Sequence, residues 1–292
     1  NARPDDPNTD WGAVDPTQRN VAGYFNLKPG AKSLDAFESP RNNNWYLLTI
    51  GARRGLTFLA RQTRVDAGNL GVYGHSMGGN LTVYVAGTDK RIKVAVPSAG
   101  GQGFRTVPWK LLPQQRRRTP HGAMRLFRNT LGFQSYAPYI TAPLLWLGAT
   151  NDFHGIMDDT YRTGDLIPKV AVRYSFAPHL NHRFTPAFAV TRPLWLDQHL
   201  KNGFKLPLTP TSTLSLVGPD GVPVLQVIPD QSQPVEKVCI YYSIDPDPQA
   251  RYWRSTETKR SGAAWNATLP IMNARRPLFA FANIHYRLTT PE

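Results

Sequence analysis

The amino-acid sequence predicts an α/β fold in which a parallel sheet with flanking helices is followed by a small all-β sandwich. Apolar strand-like runs alternate with helix-compatible stretches between residues 44 and 201, a pattern typical of a parallel sheet. A glycine-flanked serine lies at a strand-to-helix junction, at residues 74–78. After a stretch rich in proline and threonine at 203–210, short strand-like runs separated by turn residues replace the helices.

Length and composition indicate a globular protein with a sizeable core. The chain has 292 residues, of which 41% are hydrophobic, enough for one large domain and a smaller companion. Its single cysteine, Cys239, excludes an intrachain disulfide and a thiolate zinc cluster. No run of residues has the apolar length of a membrane span, and the first residues do not form an apolar signal segment. Because the chain does not begin with methionine, we expect a processed or truncated product.

The formal net charge of +14 raises the question of an acidic partner. The densest basic cluster is formed by Arg116, Arg117 and Arg118. A nucleic-acid interface would require a recognised binding fold or aromatic side chains for base stacking beside this cluster, and the sequence indicates neither. We therefore interpret the cluster as a solvated basic cap, with recognition of an anionic substrate or surface as the alternative. Nucleic acid is not a predicted partner.

The first predicted domain covers residues 1–204. It begins with a loop-rich segment at 1–43 and contains an insertion at 100–138 with a short helix at 123–128. The regular elements between them are apolar runs of suitable length and period. They are a helix at 44–61, a strand at 70–73, a helix at 80–86, strands at 92–96, 143–148 and 170–176, and a helix at 186–201.

The second predicted domain, residues 205–292, is a β-sandwich. Its short strand-like runs are separated by proline, glycine, aspartate and asparagine, which favour turns. The predicted strands are 214–216, 224–228, 238–242, 264–269 and 278–284.

The pentapeptide at 74–78 predicts a nucleophile. In a Gly-x-Ser-x-Gly turn between a strand and a helix, the serine occupies a strained backbone position and small residues on both sides allow close packing. Gly74 and Gly78 fill those places around Ser76. The backbone N–H of Met77 lies at the start of the next helix and is the predicted oxyanion donor. The alternative interpretation is an incidental serine in a glycine-rich turn.

Two further residues complete a predicted catalytic triad with Ser76. Asp152 follows the strand at 143–148, and His182 follows the strand at 170–176. The order serine, acid, histidine is that of the α/β-hydrolase fold and differs from the orders on other serine hydrolase folds. His179 is the alternative base. Asp158 and Asp159 are alternatives to Asp152, and a calcium site built from these three carboxylates is a further alternative.

The motifs Gly74-His75-Ser76-Met77-Gly78-Gly79, Asn151-Asp152 and Asn181-His182 resemble the acetylxylan-esterase and dienelactone-hydrolase-like branch of the α/β-hydrolases. This branch is close to the prolyl-oligopeptidase-type catalytic domain. The resemblance covers roughly residues 44–202. The segments 7–12 and 39–42 also look similar to loops of secreted bacterial carbohydrate esterases, which typically carry a C-terminal β-domain. The resemblance implies a periplasmic or secreted protein. Such hydrolases have several strands and an oxyanion loop ahead of this region, and residues 1–43 contain no matching motif, so we expect the N-terminal strands and the second oxyanion donor to be missing.

The predicted function is that of a serine hydrolase that cleaves carboxylic esters through an acyl-enzyme. The resemblance implies a small ester or acetylated carbohydrate as substrate. The candidate substrate contacts are His75, Trp11 and Trp109, and the two tryptophans are candidate stacking surfaces for sugar rings. The mechanism requires neither a metal nor an organic cofactor, and the sequence does not predict the oligomeric state. Two alternatives remain: a serine peptidase of prolyl-oligopeptidase type, and a noncatalytic polysaccharide-binding protein with a relic hydrolase core.

Overall fold

A computed structural model describes residues 44–104, 128–168 and 170–289. They fall into two compact units. The first contains the described residues up to Leu144 together with Asp159–Val172, and the second contains Leu145–Asp158 and the residues from Arg173 onward. The predicted domain boundary at 204/205 stays a prediction.

The main elements of the α/β part, within the described residues, are four strands and four helices. In chain order they are α1 (Asn44–Ala60), β1 (Leu70–His75), α2 (Met77–Thr88), β2 (Ile92–Ser98), β3 (Leu144–Ala149), α3 (Met157–Gly164), β4 (Val172–Ala177) and α4 (Pro186–Leu200). The strands form a parallel sheet in the order β1-β2-β3-β4. Among the described residues, β1 lies at one edge of this sheet, and it pairs with β2 from Leu70 opposite Ile92 to His75 opposite Ser98.

Aromatic packing beside α2 holds the first unit together. The ring of Tyr84 lies 4.5 Å from that of Phe133 and 5.8 Å from that of Trp45 on α1. Strand β2 is almost completely buried, as expected for a β-branched run in a parallel sheet. The elbow at the end of β1 is therefore built on a rigid support.

The C-terminal β-domain consists of two antiparallel sheets with one shared core. Its strands are β5 (Thr211–Ser215), β6 (Val224–Ile228), β7 (Val235–Ser243), β8 (Arg254–Thr256), β9 (Lys259–Ser261), β10 (Ala264–Thr268) and β11 (Phe279–Tyr286). The sheet orders are β5-β6-β10-β9 and β11-β7-β8. Val227, Ile240 and Leu269 are fully buried between the two sheets.

The predicted fold class is confirmed, and most predicted elements agree with the observed bounds within three residues. Three elements were not predicted: α3, β8 and β9. The segment predicted at 1–43 and residues 123–127 of the helix predicted at 123–128 lie outside the described residues. No helix in the described ranges is long and apolar enough to cross a membrane.

Candidate active site

Ser76 occupies the sharp turn between β1 and α2. Its backbone has φ 58° and ψ −113°, and such a conformation costs a residue with a side chain about 1–3 kcal/mol. The Ser76 N–H donates to the Ser98 carbonyl at 2.8 Å, and the Asn80 N–H donates to the Ser76 carbonyl at 3.1 Å. The predicted nucleophile therefore lies in a strained turn that is anchored by backbone hydrogen bonds at the carboxyl end of a parallel strand.

Glycines around Ser76 allow three backbone segments to approach one another. A Cβ on Gly74 would overlap the carbonyl group of Gly78, and a Cβ on Gly79 would lie 2.5 Å from the Ser98 carbonyl oxygen. A Cβ on Gly100 would overlap the Ser76 carbonyl oxygen. In contrast, a Cβ on Gly78 would have no atom from outside its own helical turn within 4 Å. Steric need thus falls on positions 74, 79 and 100, and not on position 78.

The neighbours of Ser76 have distinct environments. Met77 is the first residue of α2, where backbone N–H groups have no partner within the helix and favour negative charge. The His75 Nδ1 atom lies 2.9 Å from the Ser98 hydroxyl oxygen. The role of Met77 as an oxyanion donor and that of His75 in substrate binding stay predictions.

Asp152 and His182 lie together in the second unit. The His182 Nδ1 atom is 3.0 Å from both carboxylate oxygens of Asp152. Asp152 is 2% exposed, and its Oδ1 also accepts the backbone N–H groups of His154 at 2.7 Å and Gly155 at 2.8 Å. Since an ionised carboxylate can only accept, Nδ1 carries the proton and Nε2 is the basic nitrogen.

Competing effects act on the pKa of the Asp152 carboxyl. Burial, the largest of them, raises this pKa, whereas the hydrogen bonds from His182, Gly155 and His154 and the charge of His182 lower it. The net result is a pKa below the usual value. Asp152 is therefore an ionised carboxylate at neutral pH, as a residue that orients an imidazole must be.

Hydrogen bonds tie the loop after β3 to the loop after β4. We call residues 150–158, which include the first two residues of α3, the acid loop, and residues 178–185 the base loop. The Asn151 N–H donates to the Leu180 carbonyl at 3.0 Å. Asn181 Oδ1 accepts the N–H groups of Phe153 at 3.1 Å and of His182 at 2.7 Å. The ring of Phe153, 38% exposed, lies 4.9 Å from the His182 imidazole. These bonds fix the spacing between acid and base.

The alternatives to this acid and base have other partners. The His179 ring lies 6.0 Å from Tyr252 and 6.3 Å from Tyr241, in aromatic contacts. Asp158 pairs with Arg251, and Asp159 with Arg162. Within the described ranges, no group of three or more acidic, histidine or cysteine side chains could hold a metal ion. The structure therefore brings Asp152, and not the other carboxylates, to His182.

The site residues follow one another along the chain in the order that is typical of the α/β-hydrolase fold. The strained serine comes first, between a parallel strand and a helix, and the acid after β3 and the histidine after β4 follow it. The described core has the α/β-hydrolase fold. Ser76 belongs to the first unit of this α/β-hydrolase core, and Asp152 and His182 belong to the second. Trp11, Trp109 and the cluster Arg116, Arg117 and Arg118 lie outside the described residues.

No protein-family model matches the sequence, and no curated protein matches it at a significant level. Solved structures similar to this α/β-hydrolase core include an acetyl xylan esterase from a Paenibacillus species, with 18% identity, a TM-score of 0.49, and coverage of 61% of this chain and 60% of the esterase. An acetyl xylan esterase from a Thermoanaerobacterium species has 16% identity, a TM-score of 0.44, and coverage of 60% and 59%. A puromycin-hydrolyzing peptidase of Mycobacterium tuberculosis has 19% identity, a TM-score of 0.43, and coverage of 56% and 28%.

Several residues of the candidate site were not predicted to have a role. Asn181 precedes the histidine directly, so its tendency to accept nearby backbone N–H groups was a usable local signal. Gly100 follows β2 in a glycine pair, which indicated a tight turn but not its contact with Ser76. Arg251 lies about a hundred residues from the acid loop along the chain, and no local pattern indicates its contact there.

Proposed function

We propose that this protein is a serine hydrolase that cleaves carboxylic esters through an acyl-enzyme. Ser76 Oγ attacks the ester carbonyl carbon while His182 Nε2 accepts the hydroxyl proton. The tetrahedral intermediate places its negative oxygen at the Met77 N–H. His182 then gives the proton to the departing alcohol, which leaves Ser76 acylated. Water, deprotonated by the same imidazole, attacks the acyl carbon and releases the acid and free Ser76.

The observation that carries the proposal is the pairing of His182 Nδ1 with the buried carboxylate of Asp152 at 3.0 Å. This pairing leaves Nε2 as a base and stabilises the imidazolium that forms during proton transfer. The strained backbone of Ser76 supports the proposal independently. A structural role alone gives no reason to retain a strained serine at a strand end, because strain lowers stability.

The proposed substrate is a small acyl ester on a carbohydrate, with acetyl as the preferred acyl group. Its support is the resemblance of the motifs at 74–79, 151–152 and 181–182 to acetylxylan esterases. Of the candidate substrate contacts, His75 lies in the described part of the chain, and Trp11 and Trp109 lie outside it. The acyl group and the sugar are therefore matters for direct assay.

The first experiment is hydrolysis of p-nitrophenyl acetate by the wild-type chain and its Ser76→Ala variant, with mass spectrometry after treatment with a fluorophosphonate probe. We expect the variant to lose both the covalent label and at least about 10⁴-fold of the kcat. Its melting temperature should stay within a few degrees, since the removed group is one hydroxyl. Ser215→Ala, which alters an exposed serine of β5, serves as the matched control and should keep both.

The outcomes separate the proposed activity from its rivals. Label and turnover that persist in Ser76→Ala would refute the nucleophile assignment. A folded wild-type chain without label would favour the noncatalytic alternative. If the chain is labelled, acetylated xylan and a prolyl peptide anilide are compared next, and faster cleavage of the peptide would replace the esterase assignment by the peptidase alternative.

A further inference from the structure

We propose that the segment Asp245–Trp253 of the β-domain is a positioning element for the catalytic acid and base, with Arg251 as its anchor. The segment connects β7 to β8. The inference rests on the proposed function of Asp152 and His182, and it assigns the β-domain a part in catalysis beyond any binding of polysaccharide. Arg251 is a positioning residue and not a catalytic one, because it acts on the acid loop and does not bond Asp152 itself.

Arg251 is held rigidly on several sides. Its side chain is 1% exposed and forms two parallel hydrogen bonds with Asp158, Nη1 to Oδ1 at 2.8 Å and Nη2 to Oδ2 at 2.9 Å. Its Nε donates to the Asp245 carbonyl at 2.9 Å. The guanidinium carbon lies 3.6 Å from the ring centre of Phe279 and 5.3 Å from that of Trp253. A planar guanidinium with this many partners has one geometry, and it fixes the far end of the acid loop.

The same segment also holds the near end of the acid loop. Asn151 Nδ2 donates to the Arg251 carbonyl at 2.7 Å and to the Gln249 carbonyl at 3.4 Å. Gln249 Nε2 donates to the Phe153 carbonyl at 3.2 Å. The residues immediately before and after Asp152 are therefore both bonded to the β-domain, and Asp158 is bonded to it through Arg251.

The base loop contacts the β-domain through aromatic rings. The His179 ring contacts Tyr252 of the segment and Tyr241 of β7, at ring distances of 6.0 and 6.3 Å. His179 has φ 56°, and its N–H donates to the Thr150 hydroxyl of the acid loop at 3.0 Å. One connection of the β-domain thus contacts both loops that carry the acid and the base.

The arrangement points to catalysis because of where the contacts fall. Proton transfer requires the base to stay within a fraction of an ångström of its productive position. The acid loop connects a strand to a helix, and such connections are mobile unless they are anchored. Anchoring residues 151, 153 and 158 restrains the Asp152 backbone on both sides, and through Asp152 it restrains the His182 ring.

The test compares Arg251→Lys with wild type. Lysine keeps the charge but cannot make the two parallel bonds with Asp158. We expect kcat for p-nitrophenyl acetate to fall about 10- to 100-fold with KM nearly unchanged, because a misplaced base affects the chemical step and not ground-state binding. Val227→Ala, in the β-domain core, is the control for lost stability and should lower the melting temperature while keeping kcat. If Arg251→Lys lost only stability, as this control does, the inference would be wrong.

A second readout does not depend on turnover. In the wild type, the Nδ1 proton of His182 bonds to Asp152 and should give a downfield proton resonance in NMR, which the Asp152→Asn variant assigns by its loss. We expect Arg251→Lys to broaden or remove this resonance, whether or not the chain hydrolyses esters. If the resonance changes in this way but the wild type hydrolyses no ester, the positioning inference stands and the proposed function fails. An unchanged resonance with unchanged kcat overturns the inference.

Should Arg251→Lys fail to fold, Gln249→Ala replaces it. Gln249 is half-buried, and its side chain donates to the Phe153 carbonyl. Truncation of this side chain leaves the core of the β-domain unchanged. A smaller fall in kcat, in the same direction and with the same change in the His182 resonance, is expected. Wild-type kcat and an unshifted resonance in this variant would also overturn the inference.

Discussion

Gly74 faces Gly78 backbone to backbone, with the Gly78 Cα only 2.7 Å from the place that a Cβ on Gly74 would occupy. The end of β1 and the first turn of α2 are thus so close that only a residue without a side chain fits at position 74. The two glycines flank Ser76 along the chain, two residues before it and two residues after it. Ser76 lies between them in its strained conformation. The geometry of the turn is therefore determined by the absence of one side chain at position 74.

We predict that Gly74→Ala destabilises the fold and removes activity. The added methyl group meets backbone atoms, which cannot move aside as the end of a flexible side chain can, so the strand and helix must separate. Overpacking of this kind costs about 1–3 kcal/mol or more. The measurement is the free energy of unfolding from urea denaturation, with fluorophosphonate labelling of Ser76 as the second readout.

Gly78→Ala is the matched control for this prediction. Its Cβ would point into open space, and alanine is favoured over glycine within a helix by about 1 kcal/mol. We expect this variant to be as stable as wild type or slightly more stable, and to keep its label. Equal destabilisation by both substitutions would contradict the steric argument.

Local patterns were sufficient to predict the elements around the site. Strands β1 to β4 are apolar runs, and α2 and α4 follow directly from turn residues, so each carries its own signal. Helix α3 has two adjacent aspartates in its first turn and little apolar character. It has a tertiary contact that no local pattern indicates: the Thr163 hydroxyl accepts the Gly103 N–H. Strands β8 and β9 have three residues each and exist through pairing with β7 and β10.

The candidate site divides in the same way. Ser76, Asp152 and His182 were predictable because each stands at the end of a strand in a recognisable order along the chain. The steric demand at Gly79 and Gly100 depends on how β2 passes the elbow. The position of Arg251 depends on the packing of the segment between β7 and β8, about a hundred residues after the acid loop. Such contacts between distant residues leave no mark in a single sequence.

The assignment of the base leads to a prediction on two histidines. His182→Ala removes the ring that bonds Asp152, so we expect kcat for p-nitrophenyl acetate to fall by about 10⁴-fold or more. His179→Ala removes an aromatic contact with Tyr241 and Tyr252 and should retain most of the activity. Steady-state kinetics of the two purified variants decides between them, and the reverse order would make His179 the base.

Asp89, at the end of α2, is buried beside two arginines. Arg91 contacts it with Nη2 at 2.6 Å and Nε at 2.9 Å, and Arg53 with Nε at 3.4 Å. The Arg91 hydrogen bond, opposed by burial, lowers the pKa of the Asp89 carboxyl from 3.8 to about 2. A carboxylate is unfavourable at a helix C-terminus because of the helix dipole, and the two guanidinium groups offset this.

We predict that this ion pair stabilises the fold in a defined pH range. Because the pKa of Asp89 is lower in the folded than in the unfolded state, its contribution is fully present above about pH 4 and is lost as the pH falls towards about 2. A shift of this size corresponds to about 2 kcal/mol, reduced towards about 1 kcal/mol because both arginines are partly exposed to solvent. Asp89→Asn should therefore lower the free energy of unfolding at pH 7. It should also flatten the fall of this free energy between pH 4 and 2, measured by urea denaturation at each pH.

The control is Asp197→Asn, which breaks the exposed pair of Asp197 with Lys201. It should change the free energy of unfolding by less than about 0.5 kcal/mol. Parallel pH curves for Asp89→Asn and wild type would show that Asp89 does not titrate as this environment requires.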